Sequence, residues 1–226
     1  DEAGAIDGSW SVDNSIGTFD DFSSSWAGFR VWEVLDTVGD FEAVGRTSGV
    51  TGQLSASGAT IEDVVIEVDL TGLVTDNAFR DQAIQRTLDT NQFPTAMFVS
   101  TESVELGSVP ADGEPFAASV PGTITVREVT QDVVVELQGQ RSGDVVVVVG
   151  TLPVDFTSFD VTMPTAPIVA SVEDSGDLEW QLFFSRGEEM AEEDMAADDE
   201  MVEDEMAESD EEMAEDETAE GETAEE

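Results

Sequence analysis

Apolar and polar residues alternate along much of this chain. From Ile61 to Gly72, Val64, Ile66, Val68 and Leu70 share one face, while Asp63, Glu67 and Asp69 fall largely on the other. A period of two marks a β-strand with one buried face. The pattern returns in Val120, Gly122, Ile124 and Val126, interleaved with Ser119, Thr123, Thr125 and Arg127, and again in Val133, Val135 and Leu137. Near residue 180 it sets Leu178, Trp180, Leu182 and Phe184 against Glu179, Gln181 and Phe183. Ser57-Gly58, Ser142-Gly143-Asp144 and Asp174-Ser175-Gly176-Asp177 read as turns between such runs, because Gly supplies positive φ and Asp or Ser closes the turn through its side chain. Antiparallel hairpins follow. Asn77–Leu88 breaks the pattern: Phe79, Ala83, Ile84 and Leu88 are spaced as on a helix, and Asp76 or Asn77 can cap its start. Eight or so strands with one inserted helix predict an all-β domain, either a sandwich or a closed up-and-down barrel. An eight-stranded barrel has room for packed side chains or for one elongated ligand.

Charge divides the chain in two. Of 226 residues, 53 are acidic and 7 basic, a net charge of −46. Residues 187–226 contain 22 of the acids, with no base and no aromatic, so this stretch cannot bury a core and is expected to be a disordered acidic tail. Its methionines, at 190, 195, 201, 206 and 213, keep no single helical face. The expected organisation is a flexible segment at 1–8, a β-domain at 9–186 and the tail at 187–226. The β-domain keeps 31 acids. Such a surface suits a saline exterior where screening shortens repulsion, and it predicts loss of stability at low ionic strength.

The same composition excludes chemistry. All seven basic residues are Arg, and the chain lacks Lys, His, Cys and Tyr. Cys/His metal sites, thiol and histidine catalysis, and lysine Schiff bases are therefore closed to it. Nucleic acid is an implausible partner for so negative a polymer. Adjacent carboxylates such as Glu62-Asp63 or Asp20-Asp21 are what chance places among so many acids, and Asp174–Asp177 is too short for a calcium loop. No cofactor or metal is expected. The longest aliphatic run, Val145 to Val149, falls far short of the roughly 20 residues of a spanning helix. The opening Asp1-Glu2-Ala3-Gly4-Ala5 resembles the start of a mature exported protein, and periplasmic, envelope or extracellular residence is expected.

Six blocks carry a more specific resemblance. They are Trp10-Ser11-Val12-Asp13, Val44-Gly45 with Gly49 and Gly52, Thr75-Asp76-Asn77-Ala78-Phe79-Arg80-Asp81, Phe93-Pro94-Thr95-Ala96-Met97-Phe98-Val99-Ser100, Gly122 through Thr130, and Gly176-Asp177-Leu178-Glu179-Trp180. In this order, over residues 9 to 186, they resemble the YceI-like polyisoprenoid-binding family. The resemblance implies an exported, lipocalin-like antiparallel barrel of eight strands, non-enzymatic, with an isoprenoid lipid or quinone as partner. Self-association as a homodimer stays open. One departure stands out: the family's glycine in the turn after Arg127 is Glu128 here, and positive φ at that position would cost about 1 kcal/mol.

The candidate ligand-lining residues are Val64, Ile66, Val68, Ile124, Val126, Trp180 and Leu182. The plain alternative is a solid core built from the same side chains. Arg80 and Arg127 are the candidates for an anionic headgroup, because a guanidinium is planar and always charged. For Arg80 with Asp81 the competing role, pinning the helix to the barrel, is favoured. A second functional reading is an interaction or stress-response module with a packed barrel and a cation- or partner-binding tail.

Overall fold

The alternating runs pair into hairpins, and the hairpins close on themselves. The structure, a computed structural model, describes residues 6–164 and 169–187. In chain order the strands are β1 (Gly8–Val12), β2 (Trp26–Leu35), β3 (Gly39–Thr47), β4 (Val50–Ser57), β5 (Thr60–Asp69), β6 (Thr95–Ser100), β7 (Val104–Glu105), β8 (Pro115–Val126), β9 (Val129–Ser142), β10 (Val145–Asp155) and β11 (Val169–Arg186). A helix, α1 (Ala78–Leu88), lies between β5 and β6, and 3-10 turns occupy Leu70–Gly72 and Phe156–Phe159. Eight strands form an antiparallel ring in the order β1, β4, β5, β6, β8, β9, β10, β11, which closes where β11 pairs back with β1. The hairpin β2–β3 extends the wall beside β11.

Closure depends on β11 changing partners along its length. Its first part, Val169 to Gln181, pairs with β2, and Phe184 to Arg186 pairs with β1. At the junction, the loop between β1 and β2 satisfies β11 through side chains. Phe183 N–H donates to Ser25 Oγ at 3.0 Å, and Gln181 Nε2 donates to the carbonyls of Phe22 and Ser24 at 3.0 and 2.9 Å. Asp13 finishes the joint, accepting from Ser185 Oγ at 2.6 Å and from the Ser15 hydroxyl and amide at 2.6 and 2.8 Å.

These donors, the Ser15 hydroxyl foremost, then Ser185 and the Ser15 amide, hold the Asp13 carboxyl below its ordinary 3.8. A depressed carboxylate contributes stability above its unfolded pKa and loses it as pH falls through the folded value. Asp13→Asn should therefore melt below wild type at pH 7. The gap should close as both are taken below pH 3.8, in paired thermal melts across the acid range.

Turns at Gly58 and Gly143 form as predicted, each glycine at φ 60°. Asp174–Asp177 does not turn. It is a bulge inside β11, with the register slipping between Val172 and Gly176. Glycine is used there for proximity, since a Cβ on Gly176 would sit 2.2 Å from the Arg30 carbonyl oxygen. In the β8–β9 turn it is Arg127, at φ 57°, and not Glu128 that takes positive φ. Helix α1 begins at the Asn77 cap and ends at Asp89, at φ 50°. Of its four predicted apolar contacts, Phe79 fails: it is 81% exposed, and Ile84 is the buried anchor. Ordered structure starts ahead of residue 9, because Ile6 is buried in the core, accepts a 2.8 Å hydrogen bond from Trp10 Nε1, and is followed by Gly8 in β1. The expectations for the acidic tail beyond Gly187 lie outside the described residues. No described helix is long and apolar enough to cross a membrane.

Candidate functional site

The inward faces of the ring do not meet at the centre. They enclose a cavity of about 290 Å³. Its wall comes from the positions that period two assigned to one face: Val64, Ile66 and Val68 on β5, Ile124 and Val126 on β8, and Trp180 and Leu182 on β11. All seven candidate lining residues face this space. Val120, Val135, Leu137, Val146, Val148 and Phe184 continue the wall.

Four aromatic side chains show why the interior stays open. Phe29, Phe98, Phe116 and Trp180 all line the cavity, and each leans over a glycine on the adjoining strand. A Cβ on Gly45 would lie 2.4 Å from the Phe29 ring, on Gly122 2.6 Å from Phe98, on Gly139 2.3 Å from Phe116 and on Gly150 2.1 Å from Trp180. Three of the pairs are direct cross-strand neighbours: Phe29 with Gly45, Phe116 with Gly139 and Trp180 with Gly150. The missing side chains make room for the rings against the wall.

The two ends of the cavity differ. At the helix end, Leu70, Leu73, Leu88, Phe159 and Val161 close the space with hydrocarbon supplied by α1, the 3-10 turns and the segment after them. At the opposite end, beside the β4–β5 and β9–β10 turns, the lining is Ile6, Leu106, Pro110 and Arg141. Glu179 is the other charged lining residue. Its carboxylate accepts from Arg30 Nε at 2.8 Å and faces Arg46 at 3.7 Å, and the hydrogen bond that Arg30 donates to Glu179 raises the Arg30 pKa.

Neither predicted headgroup arginine lines the cavity. Arg80, on α1, is ion-paired with Asp76 and with Glu33 on β2, and stands 5.2 Å from the Phe41 ring centre. It pins the helix to the wall, but without Asp81, which instead accepts from the Thr75 amide and hydroxyl at 2.7 and 2.6 Å. Arg127 donates to the Asp160 carbonyl at 2.9 Å and lies 5.7 Å from the Phe93 ring centre. Both guanidiniums are engaged in holding covering segments to the barrel.

Arg141 is the cavity residue the alternation could have revealed and did not. Val133, Val135 and Leu137 mark the inner face of β9, and two more steps of two reach Gly139 and Arg141. The hydrophobic signal ends at Leu137, although the strand runs on to Ser142.

A closed eight-strand antiparallel barrel around an apolar interior defines a lipocalin-like class of protein. The YceI-like domain model matches residues 11–184, and the chain belongs to that family. Solved structures share the fold at low identity. A polyisoprenoid-binding domain of Saccharophagus degradans has 15% identity and a TM-score of 0.58, covering 79% of this chain and 98% of its own. BcnA of Burkholderia cenocepacia has 17% identity and a TM-score of 0.52, covering 70% and 95%. The YceI protein of Campylobacter jejuni has 15% identity and a TM-score of 0.52, covering 64% and 85%. No curated protein matches the chain.

Proposed function

We propose that this protein is a non-enzymatic carrier that holds an isoprenoid lipid, a polyprenyl compound or an isoprenoid quinone, inside the barrel, and that it works outside the cytoplasm. The observation that carries this reading is the apolar cavity of about 290 Å³ inside the barrel. A solidly packed interaction module has no use for such a space. Each CH₂ moved from water into the cavity contributes roughly 0.8 kcal/mol, so a long prenyl chain can be held with few polar contacts. Cavities of this kind, mostly apolar with a few placed polar groups, are the usual form of small-molecule sites. Support for the ligand class comes from the Saccharophagus degradans relative, described as a polyisoprenoid-binding domain. Support for an extracytoplasmic setting comes from the many acids of the β-domain, which suit a saline exterior where screening shortens repulsion.

Native mass spectrometry of protein purified without detergent tests the reading. The expected spectrum contains a bound lipid, or acquires one when quinones or polyprenols are offered at micromolar levels. A homogeneous ligand-free mass with no uptake of either would overturn it.

A further inference from the structure

We infer that the barrel measures prenyl chains: it takes in about two to three isoprene units, and the Phe159 ring is the floor that sets the limit. This rests on the carrier reading and adds the length class of its ligand, a short-chain isoprenoid, together with the residue that fixes it.

The limit follows from volume. An apolar cavity of about 150 Å³ accommodates one benzene ring of six carbons. At about 290 Å³ the barrel offers close to twice that space, room for about a dozen carbons, or two to three five-carbon isoprene units. A longer chain finds no further apolar volume to enter, and its remaining units stay in water. Only the carbons taken in contribute to binding, so affinity should rise steeply with chain length and then stop.

The floor lies at the helix end. Leu70, Leu73, Phe159 and Val161 line the cavity there and are all buried, whereas Leu106, Pro110 and Phe116 at the opposite end are half-buried. A chain therefore enters from that opposite end, tip first, and stops against the helix end. Phe159 has the largest side chain of the four floor residues, and it packs in one buried cluster with Ile124 and Val161. Its ring does not yield easily to a pushing chain, because the backbone is fastened on either side of it. Gln131 Nε2 on β9 donates to the Ser158 carbonyl at 2.8 Å, Arg127 donates to the Asp160 carbonyl at 2.9 Å, and the Asp155 carboxylate caps the 3-10 turn by accepting from Thr157 N–H at 2.9 Å. The contact that takes Arg127 away from headgroup recognition thus makes the floor rigid.

The test uses the full chain and a series of prenyl alcohols running from one to four isoprene units, so that only length varies. Affinities are read by tryptophan fluorescence, which Trp180 on the cavity wall makes sensitive to occupancy. In wild type each unit should tighten binding at least about tenfold up to the second or third, and the fourth should add less than about twofold. Phe159→Ala should move the plateau about one unit longer, because a six-carbon ring has left the floor. Phe159→Leu, which keeps the floor apolar and costs less stability, should act in the same direction by tightening the longest alcohol relative to the next. Affinity that climbs undiminished through the fourth unit in wild type would overturn the length limit, whether or not either variant folds. A plateau left in place in folded Phe159→Leu, with all lengths weakened alike, would show that Phe159 only supports the fold. Failure of wild type to bind any of the alcohols would instead remove the carrier reading, and this inference with it.

Discussion

Gly150→Ala should empty the protein of ligand. The added Cβ would lie 2.1 Å from Cζ2 of Trp180 and 2.5 Å from its Cε2, separations that real Cβ atoms essentially never show. Trp180 cannot retreat through the wall, since it sits on β11 directly opposite Gly150 with its indole on the inner face. The ring must swing into the cavity and occupy the volume proposed above to hold a prenyl chain. Overpacking of this kind costs typically about 1–3 kcal/mol. The expected result is a loss of quinone and polyprenol binding by at least about tenfold, with melting lowered by several degrees. Alanine is otherwise more comfortable than glycine in a strand, so intrinsic propensity works in the opposite direction. Adding Trp180→Leu should restore binding in the double variant, because removing the ring removes the clash. Unchanged ligand uptake by Gly150→Ala would show that the ring's place against glycine does not set the bore.

Arg80→Met should be the most destabilising single change among the ion pairs. Glu33 is 7% exposed, and Arg80 on α1 supplies its counter-charge. Removing one partner of a buried pair leaves an uncompensated charge and costs about 3–5 kcal/mol. At about 2–4 °C per kcal/mol for a domain of this size, the melting temperature should fall by roughly 10 °C. Asp76→Ala removes only the exposed arm of the same arginine and should cost under about 1 kcal/mol. The double variant Glu33→Leu/Arg80→Met should recover most of the loss, since a well-packed apolar pair often replaces a buried ion pair without penalty. Differential scanning calorimetry of the three variants decides the matter. If Arg80→Met and Asp76→Ala melt alike, the buried arm carries no special weight.

Much of the wall was legible because its signal is local. Val64, Ile66 and Val68 alternate with acids, and one glance along the chain assigns them a common face. The hairpin β2–β3 is quieter, because both its faces are mixed. Trp32 and Val34 lie exposed, whereas Glu33, between them, is buried. That inversion works only because Arg80, 47 residues away in sequence, comes to meet Glu33, and no local pattern reports such a partner. Arg127 was likewise a plausible anion ligand until Asp160, 33 residues on, proved to hold it. Gly176 misled for another reason. Glycine serves tight turns and close strand approach equally well, and its neighbours Asp174 and Ser175 favour the first reading. The hollow interior was the hardest feature to foresee, since identical apolar residues build a plug or a tube, and the difference lies in whether rings find glycines across the sheet.

The position of β10 has a consequence for how the chain must be made. Val145 to Val149 is five consecutive valines, the composition that stacks most readily into cross-β assemblies. In the folded barrel this segment is screened by β9 on one side and β11 on the other. Of these two neighbours, β11 is the last strand to be synthesised, so the valine run waits with one edge open until the barrel is almost complete. The 40 residues that follow β11 in sequence include the 22 acids of the tail. Those acids stay joined to β11 in sequence whether or not it is paired with β10. Charge flanking an unavoidable sticky strand acts as a gatekeeper, and here it is attached to the very strand whose departure creates the hazard.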